Sequence, residues 1–80
     1  MNDIPWSKPV RLEFPRRLPR VVDGPRAALE LLDNEWPASQ GRHYLAAREM
    51  CRAAIARLTS PDAARDTFIS ASIEAAVPIR

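Results

Sequence analysis

His43 and Cys51 are the only histidine and the only cysteine in the 80-residue chain. Eight positions apart on one helix, they lie about 12 Å apart along its axis. Neither can activate the other, and a tetrahedral zinc site needs about four such ligands. No metal and no cofactor is therefore expected. A nucleophilic cysteine needs an adjacent base and an exposed, electropositive setting. Cys51 falls on an apolar helical face and reads instead as a small buried thiol. Carboxylates that could share acid–base work, Asp33 with Glu35 and Asp62 with Asp66, fall on faces read as solvated, as does Glu30 one turn from Asp33. The two glycines, Gly24 and Gly41, are too few for a phosphate-cradling loop. Asp23 and Gly24 at a helix start read as a turn and cap rather than an anion site. No catalytic set emerges, and the chain is read as a non-enzyme.

Charge offers a second kind of chemistry. Twelve Lys and Arg face ten Asp and Glu, for a net charge of +2. All but one of the cations are arginine, and the excess is local: residues 1–26 carry a net +3 and residues 27–80 a net −1. Lys8, Arg11, Arg16, Arg17 and Arg20 form a basic segment near Trp6 and Phe14, a possible patch for an anion or a nucleic acid. The period-two pattern turns Phe14 inward, and no helix carries a basic stripe or a helix-turn-helix signature. The simpler reading is an arginine-rich solvated surface.

The elements that position these residues follow from periodicity. Residues 1–8 read as a loosely held arm, with Trp6 an apolar group that should dock on the rest. Residues 9–80 read as one domain. Within it, Val10, Leu12 and Phe14 alternate with Arg11 and Glu13, a half-buried strand over residues 9–14. Pro15 ends it, and residues 20–22 form a second short strand across a hairpin loop. A lone hairpin is marginal in water and must rest on helices. Asp23-Gly24-Pro25 opens the first helix, Asp23 as an acceptor for free N–H groups and Pro25 where no donor is needed. Pro37 stops this helix at or before Trp36. A loop over residues 38–41 leads to a second helix over residues 42–58, with Tyr44, Ala47, Cys51, Ala54, Ile55 and Leu58 on one face. Ser60-Pro61-Asp62 caps a third helix over residues 61–76.

That third helix is unusual in carrying two apolar stripes. One runs through Ala64, Phe68, Ala71 and Ala75, the other through Ile69, Ile73 and Ala76, with Arg65 and Ser72 between them. Arg65 should reach solvent or pair with Glu30, Glu35 or Asp23. Arginine is also enriched at interface hot spots, so Arg65, Ile69 and Ile73 are the candidate partner surface. Residues 77–80 read as an extended end. The expected core is Val10, Leu12, Phe14, Val22, Leu29, Leu32, Trp36, Ala47, Cys51, Ala54, Leu58, Phe68 and Ala71.

The order of landmarks resembles a known family. Trp6 and Pro9-Val10 precede an alternating strand, and an Ala-rich helix ends in Trp36-Pro37. Ala46-Ala47 and Cys51 precede Ala53-Ala54, then Ala64-Arg65, Phe68-Ile69, Ala71 and Glu74-Ala75. This pattern is similar, over residues 6–79, to the small bacterial proteins named domain of unknown function 982. The resemblance brings no activity, cofactor or catalytic residue. The chain departs from it at Pro78, where a plain strand-like tail is implied.

An 80-residue chain buries only about 60–65% of its unfolded surface, which excludes nucleotide-binding α/β folds and two-lobed enzymes. With one cysteine, a disulfide-stapled secreted scaffold is excluded as well. No stretch is apolar and long enough to span a bilayer, Met1 to Pro9 has no signal-peptide core, and the cytoplasm is the expected compartment. The expected architecture is an α+β domain of order β-β-α-α-α, a short hairpin packed on three helices. The expected function is non-catalytic: a protein-interaction or homo-oligomerisation module acting as a homodimer or on a protein partner. The alternative is weak nucleic-acid binding through the basic hairpin.

Overall fold

The alternation at the N-terminus does produce a strand. In the computed structural model, which describes residues 5–37 and 41–79, Val10–Leu12 (β1) pairs antiparallel with Arg20–Val22 (β2), Arg11 opposite Val21. Three helices follow: Pro25–Asn34 (α1), Arg42–Ile55 (α2) and Pro61–Glu74 (α3). The order is the expected β-β-α-α-α. Val10, Leu12, Phe14 and Val22 turn their side chains onto the helices and are buried.

The core is organised around one ring. Phe68, fully buried on α3, lies between two tryptophans, with centroids 5.7 Å from Trp6 and 5.5 Å from Trp36. Trp36 meets Phe14 edge-on at 6.3 Å. Tilted and edge-on geometries suit the aromatic quadrupole and add to the area buried. Trp6 thus docks as its size demanded, and its backbone N–H donates to the Asp23 carbonyl at 2.6 Å. The first four residues of the arm lie outside the described residues. So do residues 38–40 of the expected loop.

Several expectations are corrected. Asp23 does not cap α1 with its side chain: the N-cap is Gly24, which has no side-chain acceptor, and Asp23 contributes its carbonyl to Trp6. Leu29 is half-buried at the margin of the core rather than within it. Leu58 was expected inside and is 81% exposed, because α2 stops at Ile55. There the Arg57 N–H donates to the Ala54 carbonyl and the Leu58 N–H to the Ala53 carbonyl, with Arg57 left-handed at φ 63°. This paired closure is a Schellman motif, and it turns the chain away before Leu58 can continue the apolar face. Ser72, read as lying between two stripes, is fully buried and donates its hydroxyl to the Phe68 carbonyl at 2.9 Å. Reusing an i−4 carbonyl lets a small polar group enter the core satisfied.

The C-terminal segment is extended as expected, and Pro78, read as a departure from a strand-like tail, does not keep it from the sheet. Pro78 lacks an N–H, yet its carbonyl accepts from the Glu13 N–H at 3.0 Å, and Leu12 pairs with Ile79. A proline on an outer edge needs only its acceptor. β1 therefore has β2 on one edge and the chain end on the other. Val77 is buried just before it.

α3 ends in the same paired closure as α2. The Ala76 N–H donates to the Ile73 carbonyl and the Val77 N–H to the Ser72 carbonyl, with Ala76 at φ 58°. A side chain in this region costs roughly 1 kcal/mol that glycine does not. Ala76→Gly is therefore expected to stabilise the protein by about 0.5–1 kcal/mol. Urea unfolding followed by circular dichroism checks this; an unchanged or lower midpoint contradicts it.

Candidate functional site

The five cations of the basic segment do not form one open patch. Arg17 and Arg20 converge on a single carboxylate: Arg17 Nη1 donates to Glu35 Oε1 at 3.2 Å, and Arg20 Nη1 to the same oxygen at 2.8 Å. Arg17 Nη2 also reaches the Glu35 carbonyl at 3.3 Å, and its guanidinium lies 4.4 Å over the Phe14 ring. Glu35, read from sequence as a solvated acid, is thus the anchor that fastens the hairpin to the end of α1. Lys8, Arg11 and Arg16 are exposed and make no side-chain ion pair among the described residues. Phe14 is buried and its ring is not free to stack on a base. Beside Arg17 and Arg20, an open depression of about 310 Å³ is lined by Leu18, which is 83% exposed.

The candidate partner residues on α3 have three different fates. Arg65 is half-buried and meets none of Glu30, Glu35 or Asp23; its Nε donates to the Lys8 carbonyl at 2.7 Å. The ion-pair expectation gives way to a charge-assisted bond that ties the arm to α3. Ile69 is half-buried against the core, and Ile73 one turn later is 70% exposed. The remaining acid–base candidates divide in the same way. Asp33 accepts from Arg48 Nε at 2.7 Å across the α1–α2 seam, while Asp62 and Asp66 are exposed. Cys51 is fully buried, as its apolar face required. Among the described residues, no three His, Cys, Asp or Glu side chains converge. No helix is long and apolar enough to cross a membrane.

One polar cluster was not legible in the sequence. α2 and α3 run antiparallel, so the last turn of α3 meets the first turn of α2. There the Glu74 carboxylate accepts from the His43 N–H at 3.1 Å and the Tyr44 N–H at 3.0 Å. These are donors that a helix N-terminus leaves unsatisfied. The N-cap is Gly41, which has no side chain to serve them. A Cβ on Gly41 would collide with the Glu74 carboxyl group. The acceptor comes from α3 and occupies the space that a capping side chain would fill. The only signal in the sequence was negative: a helix start without Ser, Thr, Asp or Asn needs an acceptor from elsewhere. Nearby, the Tyr44 hydroxyl donates to the Leu32 carbonyl at 3.1 Å, serving the open end of α1.

Partial desolvation raises the Glu74 pKa. The His43 and Tyr44 N–H donors, with the His43 and Arg42 charges, outweigh it, and the carboxyl ends below its ordinary value of 4.5. A depressed carboxyl pKa stabilises the fold above the unfolded-state value, and that contribution is lost as pH falls through the folded value. Below about pH 4.5, part of the acid sensitivity of unfolding should therefore belong to Glu74. Glu74→Gln should lower stability at pH 7 and flatten the stability–pH curve between pH 5 and 3. Gly41→Ala should displace the carboxylate and reproduce both effects. Denaturant midpoints across that pH range check this, and a Glu74→Gln curve parallel to wild type contradicts it.

A family model described as a protein of unknown function, DUF982, matches residues 8–79. No curated protein and no solved structure matches the chain.

Proposed function

The chain belongs to the DUF982 family, whose description assigns no activity, and we propose that it is a non-catalytic module working by contact with protein, through homo-oligomerisation or docking on a partner. Ile73 carries this reading. It is 70% exposed on the last full turn of α3, while Ile69 one turn earlier is drawn against the core. Burying an isoleucine is worth about 1.5–3 kcal/mol, and exposed apolar groups that gather on one face mark interaction surfaces. Leu45, 50% exposed, lies at the same end of the helix pair, next to the Tyr44 N–H held by Glu74. The ties of Asp33 and Glu35 to arginines, and the burial of Cys51, support the non-catalytic part. The compartment we propose is the cytoplasm, where a single buried cysteine needs no oxidising environment.

Light scattering across a concentration series, with recovery of partners from lysate, tests the reading. A mass above the monomer, or a specific partner, is expected to be lost in Ile73→Asp while its circular dichroism stays native. A monomer mass together with no recovered partner overturns the reading.

Lys8, Arg11 and Arg16, exposed and without ion pairs among the described residues, support a second reading of weak nucleic-acid binding. With Arg17 and Arg20 held by Glu35, about three cations remain for phosphates. Log affinity for duplex DNA should then fall against log salt with a slope of roughly −3. Fluorescence anisotropy with random oligonucleotides measures it, and no binding at low salt removes this second reading.

A further inference from the structure

The contact proposed above has a specific occupant and register, drawn from the charges on α3 and the hairpin; this inference rests on that reading. On α3, Asp62, Asp66, Ile69 and Ile73 recur at spacings of four, three and four. At about 100° per residue they fall within a stripe roughly 60° wide. Asp62, Asp66 and Ile73 are exposed, and Ile69 borders the core. Neither aspartate makes an ion pair or side-chain hydrogen bond among the described residues. Arg65, the neighbouring cation, is directed to the Lys8 carbonyl. The stripe is thus acidic in its first half and aliphatic in its second.

The outer face of the hairpin is net basic, with Glu13 on the side of Arg11 half-buried and engaged within the molecule. Arg11 stands opposite Val21, which is 61% exposed. At the turn, Arg16 sits beside the exposed Leu18, and its left-handed φ of 63° marks the point where the chain reverses. Arg11 and Arg16 have no ion-pair partner among the described residues. Arg17 and Arg20 share one carboxylate, so their cluster keeps a net positive charge. One molecule therefore carries an acidic-aliphatic face and a basic-aliphatic face, each complementary to the other. The Arg65 bond to Lys8 and the packing of Trp6 on Phe68 hold the approach to β1 alongside α3. A two-fold axis can then apply each face to its complement twice.

We propose that the partner is a second copy of this chain, seated with the α3 stripe over residues 62–73 against the neighbour's hairpin face around Arg11 and Arg16. Opposite charges set the register of the contact, and the aliphatic residues supply the area removed from water.

Two charge-reversed variants of the full chain test this by light scattering: Asp62→Arg with Asp66→Arg, and Arg11→Glu with Arg16→Glu. Wild type is expected to form a dimer whose dissociation constant rises with salt. Each variant alone should lose at least tenfold in affinity. An equimolar mixture of the two should recover the dimer, because both contacts in the mixed pair are again of opposite charge. Asp66→Arg alone, clear of the first turn of α3, serves if the double variant is unstable by circular dichroism. A wild-type dimer that neither reversal weakens, or a mixture that fails to recover it, overturns the register and leaves self-association standing. A wild-type monomer at every concentration overturns the inference, and partner recovery from lysate then decides the broader reading separately.

Discussion

The stacking of Phe68 between Trp6 and Trp36 is the contact on which the rest of the structure depends. These rings come from the arm, the segment after α1, and α3, and Phe14 of the hairpin joins through Trp36. In so small a chain the core has few layers, and aromatic rings give the most buried area per residue. One fully buried ring thus joins parts of the chain that are far apart in sequence. The arrangement has a cost, since the indole N–H groups of Trp6 and Trp36 are buried without an acceptor among the described residues.

Helix ends are the second constraint. α3 starts in the ordinary way, with the Ser60 hydroxyl oxygen accepting from the Ala63 N–H at 3.1 Å. α2 does not: Glu74 reaches it from the far end of α3. At their C-termini, both α2 and α3 close through left-handed residues that are not glycine. These endings aim the chain. The turn at Arg57 sends Leu58 to solvent, and the turn at Ala76 delivers Val77 to the core and Pro78 to β1. Backbone accounting at three helix ends therefore determines which side chains are left outside.

The same logic sorts the charges. Cations near a seam are used within the molecule: Arg17 and Arg20 on Glu35, Arg48 on Asp33, Arg65 on the Lys8 carbonyl. Each of these exposed or half-exposed pairs contributes little stability by itself, roughly 0–1 kcal/mol. Their effect is to withdraw charge from the surface. Among the charges that remain exposed are an acidic stripe on α3 and a reduced set of cations on the hairpin. Leu18, Val21 and Ile73 are exposed apolar side chains on the hairpin and α3.

Much of this architecture was legible because it is local. A period of two gave β1, the Asp23-Gly24-Pro25 and Ser60-Pro61-Asp62 signals gave two helix starts, and Pro37 gave a stop. Trp6, Phe68 and Cys51 were placed inside by size and face. The misplacements have two causes, local backbone closure and distance along the chain. The Leu58 side chain followed an apolar period that a backbone closure interrupted. Pro78 was read as a departure from a strand-like tail, while the pairing needed only its carbonyl. Arg65 found its acceptor 57 positions away and Glu74 its donors 30 and 31 positions away. The sequence by itself determined which residues are apolar at helical or strand spacing, and hence the elements and most of the core. Only the tertiary structure decided which charges meet and which stay exposed. Helix and strand periods are properties of neighbouring residues, whereas an ion pair or a cap supplied from another helix exists only once packing has brought distant segments within about 3 Å.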